Sequence, residues 1–338
     1  MELTVCVCVR DGAEYVDRCL QGLLAETAPF DTPIVIVDHA SGDRTPQLLA
    51  RWADDYPNQL RVLRFEGEGI AAARDFAWRQ SRTPWIAFVD IDCEVRPGWA
   101  RAAYDALHLH APDALCGAFG GTNRVRQDQR LLYRAYSVAL STYVGGYDSM
   151  LNRTIGERRR VNHCPSLNVV YRRHALEEIG GFDPAFTRVC EDLDVSRRLL
   201  RKGYALWSNP PMVVDHALRP TLGSWLRNMF LYGRGHCFQL KRHPADFHPK
   251  FLAPAAVVLA YAAAVLWDAG SGSPALSVAM LAGAHLSGIA VLLAGEARRQ
   301  RAGLAVWMVA SAVVWVTHLG FGSGLLFELP RRRDKFVP

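Results

Sequence analysis

Within the first ninety residues, short β-prone apolar runs alternate with segments whose apolar residues recur every three or four positions. Leu3-Thr-Val-Cys-Val-Cys-Val9 is unbroken, as expected of a strand buried on both faces of a parallel sheet. From Ala13 to Ala25, Tyr15, Val16, Cys19, Leu20, Leu23 and Leu24 form one stripe, the mark of a helix with a single core-facing side. Strands are predicted again at Pro33 to Asp38, Leu60 to Phe65 and Trp85 to Asp90, and helices at Thr45 to Asp54 and Gly69 to Gln80. Parallel neighbours need crossover connections, so this order predicts an α/β domain built on a doubly wound, mixed but mostly parallel sheet. Such sheets bind ligands beyond the carboxyl ends of their strands. Asp11, Asp38, Asp90 and Asp92 all follow those ends. One such aspartate alone is as readily a turn former or a helix cap; several on one edge are harder to explain that way.

The pattern weakens between Ala100 and Ile155, where a strand near Leu115 to Gly120 precedes an arginine-bearing segment, Arg124 to Tyr136, that reads as helix or loop. It returns with a strand in Cys164 to Arg173 and a helix at Ala175 to Ile179. Glu191 and Asp192 then open an amphipathic helix carrying Leu193, Leu199 and Leu200. Carboxylates favour a helix N-terminus for dipole reasons, so capping alone is one account of that pair. Ala205 to Trp207 and Met212 to His216 read as the closing strand segments.

From Phe251 the composition changes. Segments 251–267, 275–294 and 303–327 carry no charge, and each is close to the roughly 20 residues that cross a bilayer. The expected division is a catalytic domain over 1–245 and an anchoring region over 246–338 with two to three transmembrane segments. Arg298, Arg299 and Arg301 lie between the second and third segments and place that loop in the cytoplasm by the positive-inside rule, on the same side as the catalytic domain. Three full crossings put Arg331, Arg332 and Arg333 on the opposite side, against that rule. His318 to Phe327, interrupted by Gly320, Gly322 and Gly324, is therefore expected to bend back or lie at the interface, unless the tail is an exception. Leu222 to Lys241 reads as an interfacial helix beside the bilayer.

A net charge of +6 suits phosphate-bearing ligands or an anionic membrane. No nucleic-acid-binding module accompanies it, so nucleic acid is not an expected partner. The eight cysteines precede the apolar tail and read as small buried hydrophobes. Cys6 and Cys8 have no second Cys/His pair at zinc-site spacing. The chain opens directly on a strand pattern rather than on a secretory leader, which places the catalytic part in the reducing cytoplasm and makes the protein an integral protein of the cytoplasmic membrane.

Two carboxylates one residue apart at a strand end, Asp90 and Asp92, can share a diphosphate-bound Mg²⁺ or Mn²⁺, hard cations that take oxygen ligands. Taken with Asp38, Glu191-Asp192 and Arg227 to Gly235, they give the chain a resemblance, over about residues 3 to 240, to the family 2 glycosyltransferases of GT-A fold, in particular to membrane-anchored exopolysaccharide-type members. In that family a strand like the one ending at Val9 leads into the donor-binding loop. Val37 to Thr45 is similar to its VDDGSxDxT element, which implies that Asp38 contacts the nucleotide base; His39 departs from the commoner acidic or Asn residue. Gly69 to Arg74 is similar to the GxxxARN element, and Asp75 replaces the usual Asn.

The resemblance implies that Asp192 is the general base of an inverting transfer, with Glu191 and Asn168 in the acceptor site. Val9, Asp38, Arg74, Asp90, Arg227 and Arg234 are the implied donor-binding residues, and Asp90, Asp92 and His216 the implied metal ligands. Arg227 and Arg234 have a competing role in anchoring to lipid headgroups. The Gln-x-x-Arg-Trp element of processive relatives is absent, so one sugar per encounter is expected. The expected donor is a UDP-, GDP- or dTDP-sugar, and the acceptor a lipid-linked glycan or polysaccharide in cell-surface glycan or exopolysaccharide synthesis. The alternatives are a nucleotidyl- or sugar-phosphate transferase, which would want a Gly-rich phosphate loop with lysine where Val9-Arg-Asp-Gly12 stands, and a catalytically silent membrane scaffold of the same fold.

Overall fold

The computed structural model describes residues 1–126, 128, 130–146, 156–272, 274–332 and 334–336. The end of the weakly patterned stretch, at 147–155, and Arg333 of the basic tail lie outside the described residues. The chain forms two compact units, one from the described residues of 1–124 and 152–217 and one from those of 125–151 and 218–336. The segment from Leu222 onward packs with the apolar helices.

In chain order, the first unit begins with β1 (Leu3–Val9), α1 (Ala13–Thr27), β2 (Ile34–Asp38), α2 (Thr45–Asp55), β3 (Leu60–Arg64), α3 (Ile70–Arg79), β4 (Trp85–Val89), β5 (Cys93–Val95), α4 (Trp99–His110) and β6 (Cys116–Val125). Next come α5 (Leu131–Leu140) and α6 (Tyr143–Gly146), which belong to the second unit. The first unit resumes with β7 (Arg160–Val161), β8 (Asn168–Arg172), α7 (Arg173–Glu178), α8 (Glu191–Arg201) and β9 (Ala205–His216). The second then continues with α9 (Leu222–Arg242), α10 (Ala253–Ser271), α11 (Leu276–Arg299) and α12 (Leu304–Glu328).

Among the described residues nine strands form one mixed sheet, ordered β3-β2-β1-β4-β8-β6-β9-β5, with β7 beside β9. β3, β2, β1 and β4 are parallel, as the alternating pattern requires, while β8 pairs antiparallel with β4 and with β6, and β5 and β7 pair antiparallel with β9. Every residue of β1, β2 and β4 is buried, and α1 and α4 cover them with Val16, Leu20, Leu23, Trp99 and Ala103. The two short segments expected at Ala205 and Met212 are one strand of 12 residues. It runs through Pro210 and Pro211, of which Pro211 is exposed.

In the second unit, α10 with its preceding turn, α11 and α12 give three helical stretches of 23, 24 and 25 residues with mean hydropathy of 1.8 to 2.0, long and apolar enough to cross a membrane. Exposed Leu266, Trp267, Val291, Leu292 and Leu304 cover their outer faces. α12 is continuous through Gly320, Gly322 and Gly324, so the expected bend is corrected. A side chain at Gly324 would collide with the Phe230 carbonyl of α9, and one at Gly322 with the Pro254 carbonyl of α10. These glycines permit close approach of neighbouring backbones rather than breaking the helix.

Candidate active site

Beyond the ends of β1 and β2, two loops are bolted together by short polar side chains. The Ser41 and Thr45 hydroxyls accept the N–H groups of Asp11 and Gly12, both at 2.9 Å, and Asp43 accepts that of Ala13 at 3.1 Å. In return, Asp11 accepts the Gly42 N–H at 2.8 Å. The Ser-Gly-Asp-Arg-Thr stretch therefore satisfies donors that the start of α1 leaves open. Val9, 2% exposed, lies under this clamp and accepts the His39 N–H at 2.8 Å. Asp38 is 3% exposed; it accepts the Ser41 N–H at 3.2 Å and faces Arg64 at 3.9 Å. His39 is buried with Nε2 2.8 Å from the Gly67 carbonyl, so it braces the loop from within.

Arg74 joins the acidic motifs. It reaches from α3, 6% exposed, with Nη2 2.5 Å from Asp90 Oδ1 and Nη1 on Glu191 Oε1, a partner 117 residues away in the chain. Gly69 makes this approach possible: its φ is +90°, its place is 2.7 Å from the Thr187 Cα for any added Cβ, and the next N–H bonds the Thr187 carbonyl at 2.9 Å. The start of α3 is thereby docked onto the loop that leads into α8. Burial opposes the charge on Arg74, but the facing Asp90 and Asp192 outweigh it and hold the guanidinium protonated. Burial also lifts the Asp90 carboxyl above the usual range in spite of Arg74, and Asp92 adds to the rise.

Asp192 sits in the first turn of α8, with a side chain 22% exposed. Oδ2 accepts the Ser166 N–H at 3.2 Å and lies 3.4 Å from His163 Nε2, while Oδ1 accepts the Leu193 N–H at 2.7 Å. Burial by itself raises its pKa, yet His163, Arg74 and the Ser166 N–H together bring it far below the ordinary carboxylate range. His163 was not singled out from sequence, since a lone loop histidine gives no spacing to read. The other oxygen of Glu191, Oε2, is buried without a hydrogen-bond partner among the described residues.

Asp92 and His216 meet because β5 pairs with β9 in the register Cys93 to His216. His216 Nε2 lies 3.3 Å from Asp92 Oδ1, and with Cys93 they offer ligand atoms within 4.8 Å of one another. Burial, then the charges of Asp92 and Asp90, push the Cys93 thiol well above its usual pKa. A protonated thiol is a poor ligand, so the donor set that fits a divalent cation is the Asp92 carboxylate with the His216 imidazole.

The other expected residues are Asn168, Arg227 and Arg234. Asn168 is fully buried: its oxygen accepts the Trp99 Nε1–H at 2.9 Å, and its amide donates to the Met212 and Thr122 carbonyls at 2.9 and 3.3 Å. Those bonds tie β8 to α4, β6 and β9. Arg227 and Arg234 belong to the second unit, Arg227 exposed on α9 and Arg234 buried with Nε 3.0 Å from Glu328 Oε2.

A family model described as glycosyl transferase family 2 matches residues 4–180, and one described as glycosyl transferase family group 2 matches 160–319. The chain is 25% identical over 298 residues to the pre-mycofactocin glycosyltransferase of Mycobacterium tuberculosis, covering 85% of this chain and 57% of that one. It is 28% identical over 213 residues to the succinoglycan biosynthesis protein ExoU of Rhizobium meliloti, covering 60% of this chain and 58% of that one. The chain thus spans little more than half the length of either relative. Among solved structures, the mannosyltransferase PcManGT of Pyrobaculum calidifontis, in complex with GDP-Man and Mn²⁺, matches with a TM-score of 0.59 at 21% identity, covering 92% of this chain and 86% of that one.

Proposed function

The chain belongs to glycosyl transferase family 2 and has the GT-A fold, and on that premise we propose that it transfers a sugar, with inversion, from a nucleotide-sugar donor to a hydroxyl of a lipid-linked or polysaccharide acceptor. The observation that supports this reading is the convergence of Asp90, Glu191 and Asp192 around one buried guanidinium, with Asp192 partly exposed and held ionised by His163, Arg74 and the Ser166 N–H.

Val9 and Asp38 line the base end of the donor site. Asp92 and His216, together with Asp90, would hold a divalent cation. When bound, that cation offsets the charge that develops on the departing nucleoside diphosphate. Arg74 fixes the direction of Asp90 and matches the charge of Glu191, and the unpartnered Oε2 of Glu191 accepts from an acceptor hydroxyl. The attacking hydroxyl oxygen forms its bond to the anomeric carbon as the bond to the diphosphate oxygen breaks on the opposite face, and Asp192 takes the hydroxyl proton. A carboxylate held below its usual pKa is a weak base towards a free alcohol. It suffices here because the hydroxyl becomes acidic as its oxygen attacks, while full ionisation of Asp192 keeps the base ready at every physiological pH. Asn168 is assigned a framing role, and Arg234 is assigned to Glu328 rather than to diphosphate. Arg227, exposed on α9, remains a candidate for donor or headgroup phosphate. The three apolar helices anchor the enzyme in the membrane with the catalytic unit on the cytoplasmic side, which suits an acceptor carried on lipid.

The deciding experiment is a screen of UDP-, GDP- and dTDP-sugars for hydrolysis and transfer by the purified chain with Mg²⁺ or Mn²⁺. One donor class is expected to turn over, and Asp192→Asn to lower kcat by about 10²- to 10⁴-fold, the usual range for a lost general base. Full transferase activity in Asp192→Asn removes Asp192 from the role of base.

A further inference from the structure

We propose that a cavity in the second unit, at the foot of α5, binds the phosphate head of a membrane lipid. The cavity measures about 160 Å³ and is lined by Arg126, Asp128, Tyr133 and Arg134, by Gln300, and by the apolar Val138 and Val306. All of these residues belong to the second unit, so the site shares nothing with the carboxylates of the sheet and does not depend on glycosyl transfer.

Charge and position both point to this ligand. Arg126 and Arg130 stack on the Tyr133 ring, their guanidinium carbons 5.3 and 4.5 Å from its centroid. Asp128 holds them there, 3.5 Å from Arg126 and 2.7 Å from Arg130, and also accepts the Arg130 backbone N–H at 2.9 Å. One carboxylate thus serves two guanidiniums, and among the described residues no carboxylate is recorded against Arg134. The neighbouring polar groups are equally committed: Gln300 bonds Ser137 and Ser141, and Glu296 is taken by Arg299 and Gln300. The local balance is therefore positive, in preset guanidinium forks of the kind that grip phosphate oxygens.

Gln300 and Ala302 lie in the turn between α11 and α12, both long enough to span a bilayer. That turn carries Arg301 and follows Arg298 and Arg299 at the end of α11, so it marks the level where hydrocarbon gives way to headgroups. The lining also includes apolar side chains, Val138 1% and Val306 4% exposed. Guanidiniums and apolar valines in one cavity match an ester that joins a phosphate to a hydrocarbon chain better than they match a bare anion.

The test uses the full chain in phosphatidylcholine nanodiscs doped with phosphatidic acid, with the lipids retained on the protein counted by native mass spectrometry. Phosphatidic acid is expected to be enriched over its bulk share, and Arg134→Gln, on an exposed residue, to lower that enrichment about fivefold, the scale of one basic side chain at a membrane surface. Arg126→Lys keeps the charge but loses the fork and should also weaken retention, whereas Arg101→Gln, which removes an exposed charge from α4, should leave it unchanged. Equal enrichment in the parent, Arg134→Gln and Arg126→Lys overturns the site, and so does an equal loss in Arg101→Gln. Inorganic phosphate alone is the second arm. A rise in melting temperature with phosphate and no enrichment of phosphatidic acid overturns the lipid assignment.

Discussion

At the scale of single residues, the site is governed by how one buried cation is shared. Arg74 satisfies Asp90 and Glu191 and contributes to the low pKa of Asp192, so three carboxylates coexist in a small, largely buried volume. Asp192 ionises more readily in the fold than in the unfolded chain. Its charge therefore stabilises the fold above the ordinary carboxylate range, and that contribution is lost as the pH falls through and below this range. Asp90 behaves oppositely, because its carboxyl is raised and its ionisation opposes folding. The melting temperature of Asp192→Asn should accordingly lie furthest below that of the parent near neutrality and approach it on acidification towards roughly pH 3. A difference that grows in acid contradicts the assignment. His216→Ala removes the only imidazole beside Asp92 among the described residues, and is expected to weaken Mn²⁺ binding about 10- to 100-fold, by analogy with the loss of a metal-orienting partner. Manganese titration monitored by electron paramagnetic resonance measures this directly, and unchanged affinity excludes His216 from the metal site.

At the scale of elements, glycines in the second unit divide into two kinds. A Cβ at Gly233 of α9 would strike the Phe321 carbonyl of α12, and one at Gly324 would strike that of Phe230, whereas Gly283 and Gly288 of α11 have open space. Gly233→Ala and Gly324→Ala should each cost about 1 to 3 kcal/mol through overpacking. Gly283→Ala and Gly288→Ala should be neutral or slightly stabilising by helix propensity. Thermal unfolding in detergent separates the pairs, and equal losses at all four would refute the close-approach account. The same glycines show where sequence reading stops. β1 and α1 were legible because their apolar spacing reports burial directly, and the first turn of α8 because its carboxylates mark a helix start. Gly320, Gly322 and Gly324 look alike whether they bend a helix or let another pack against it, since the difference lies in the neighbour. The bonds of Asn168 to Trp99, Thr122 and Met212 were not legible, because those three partners come from distant parts of the chain. His163 was invisible until β8 and α8 were brought together.

At the scale of the whole molecule, the sheet unit carries the acidic motifs and the helical unit carries the apolar surface. The protein should remain with membranes through an alkaline carbonate wash and require detergent for release. Recovery in the soluble fraction after that wash would show that the apolar helices do not anchor it. Within the helical unit, α12 packs against α5, α9, α10 and α11. It is also the last of these five helices in the chain, so a growing polypeptide emerges from the ribosome with α5 and α9 waiting on a partner not yet made. Completion of this unit is therefore a late event in synthesis, and a chain interrupted before α12 leaves Trp225, Tyr136 and the α9 glycines without their cover, a state that chaperones and membrane proteases are equipped to find.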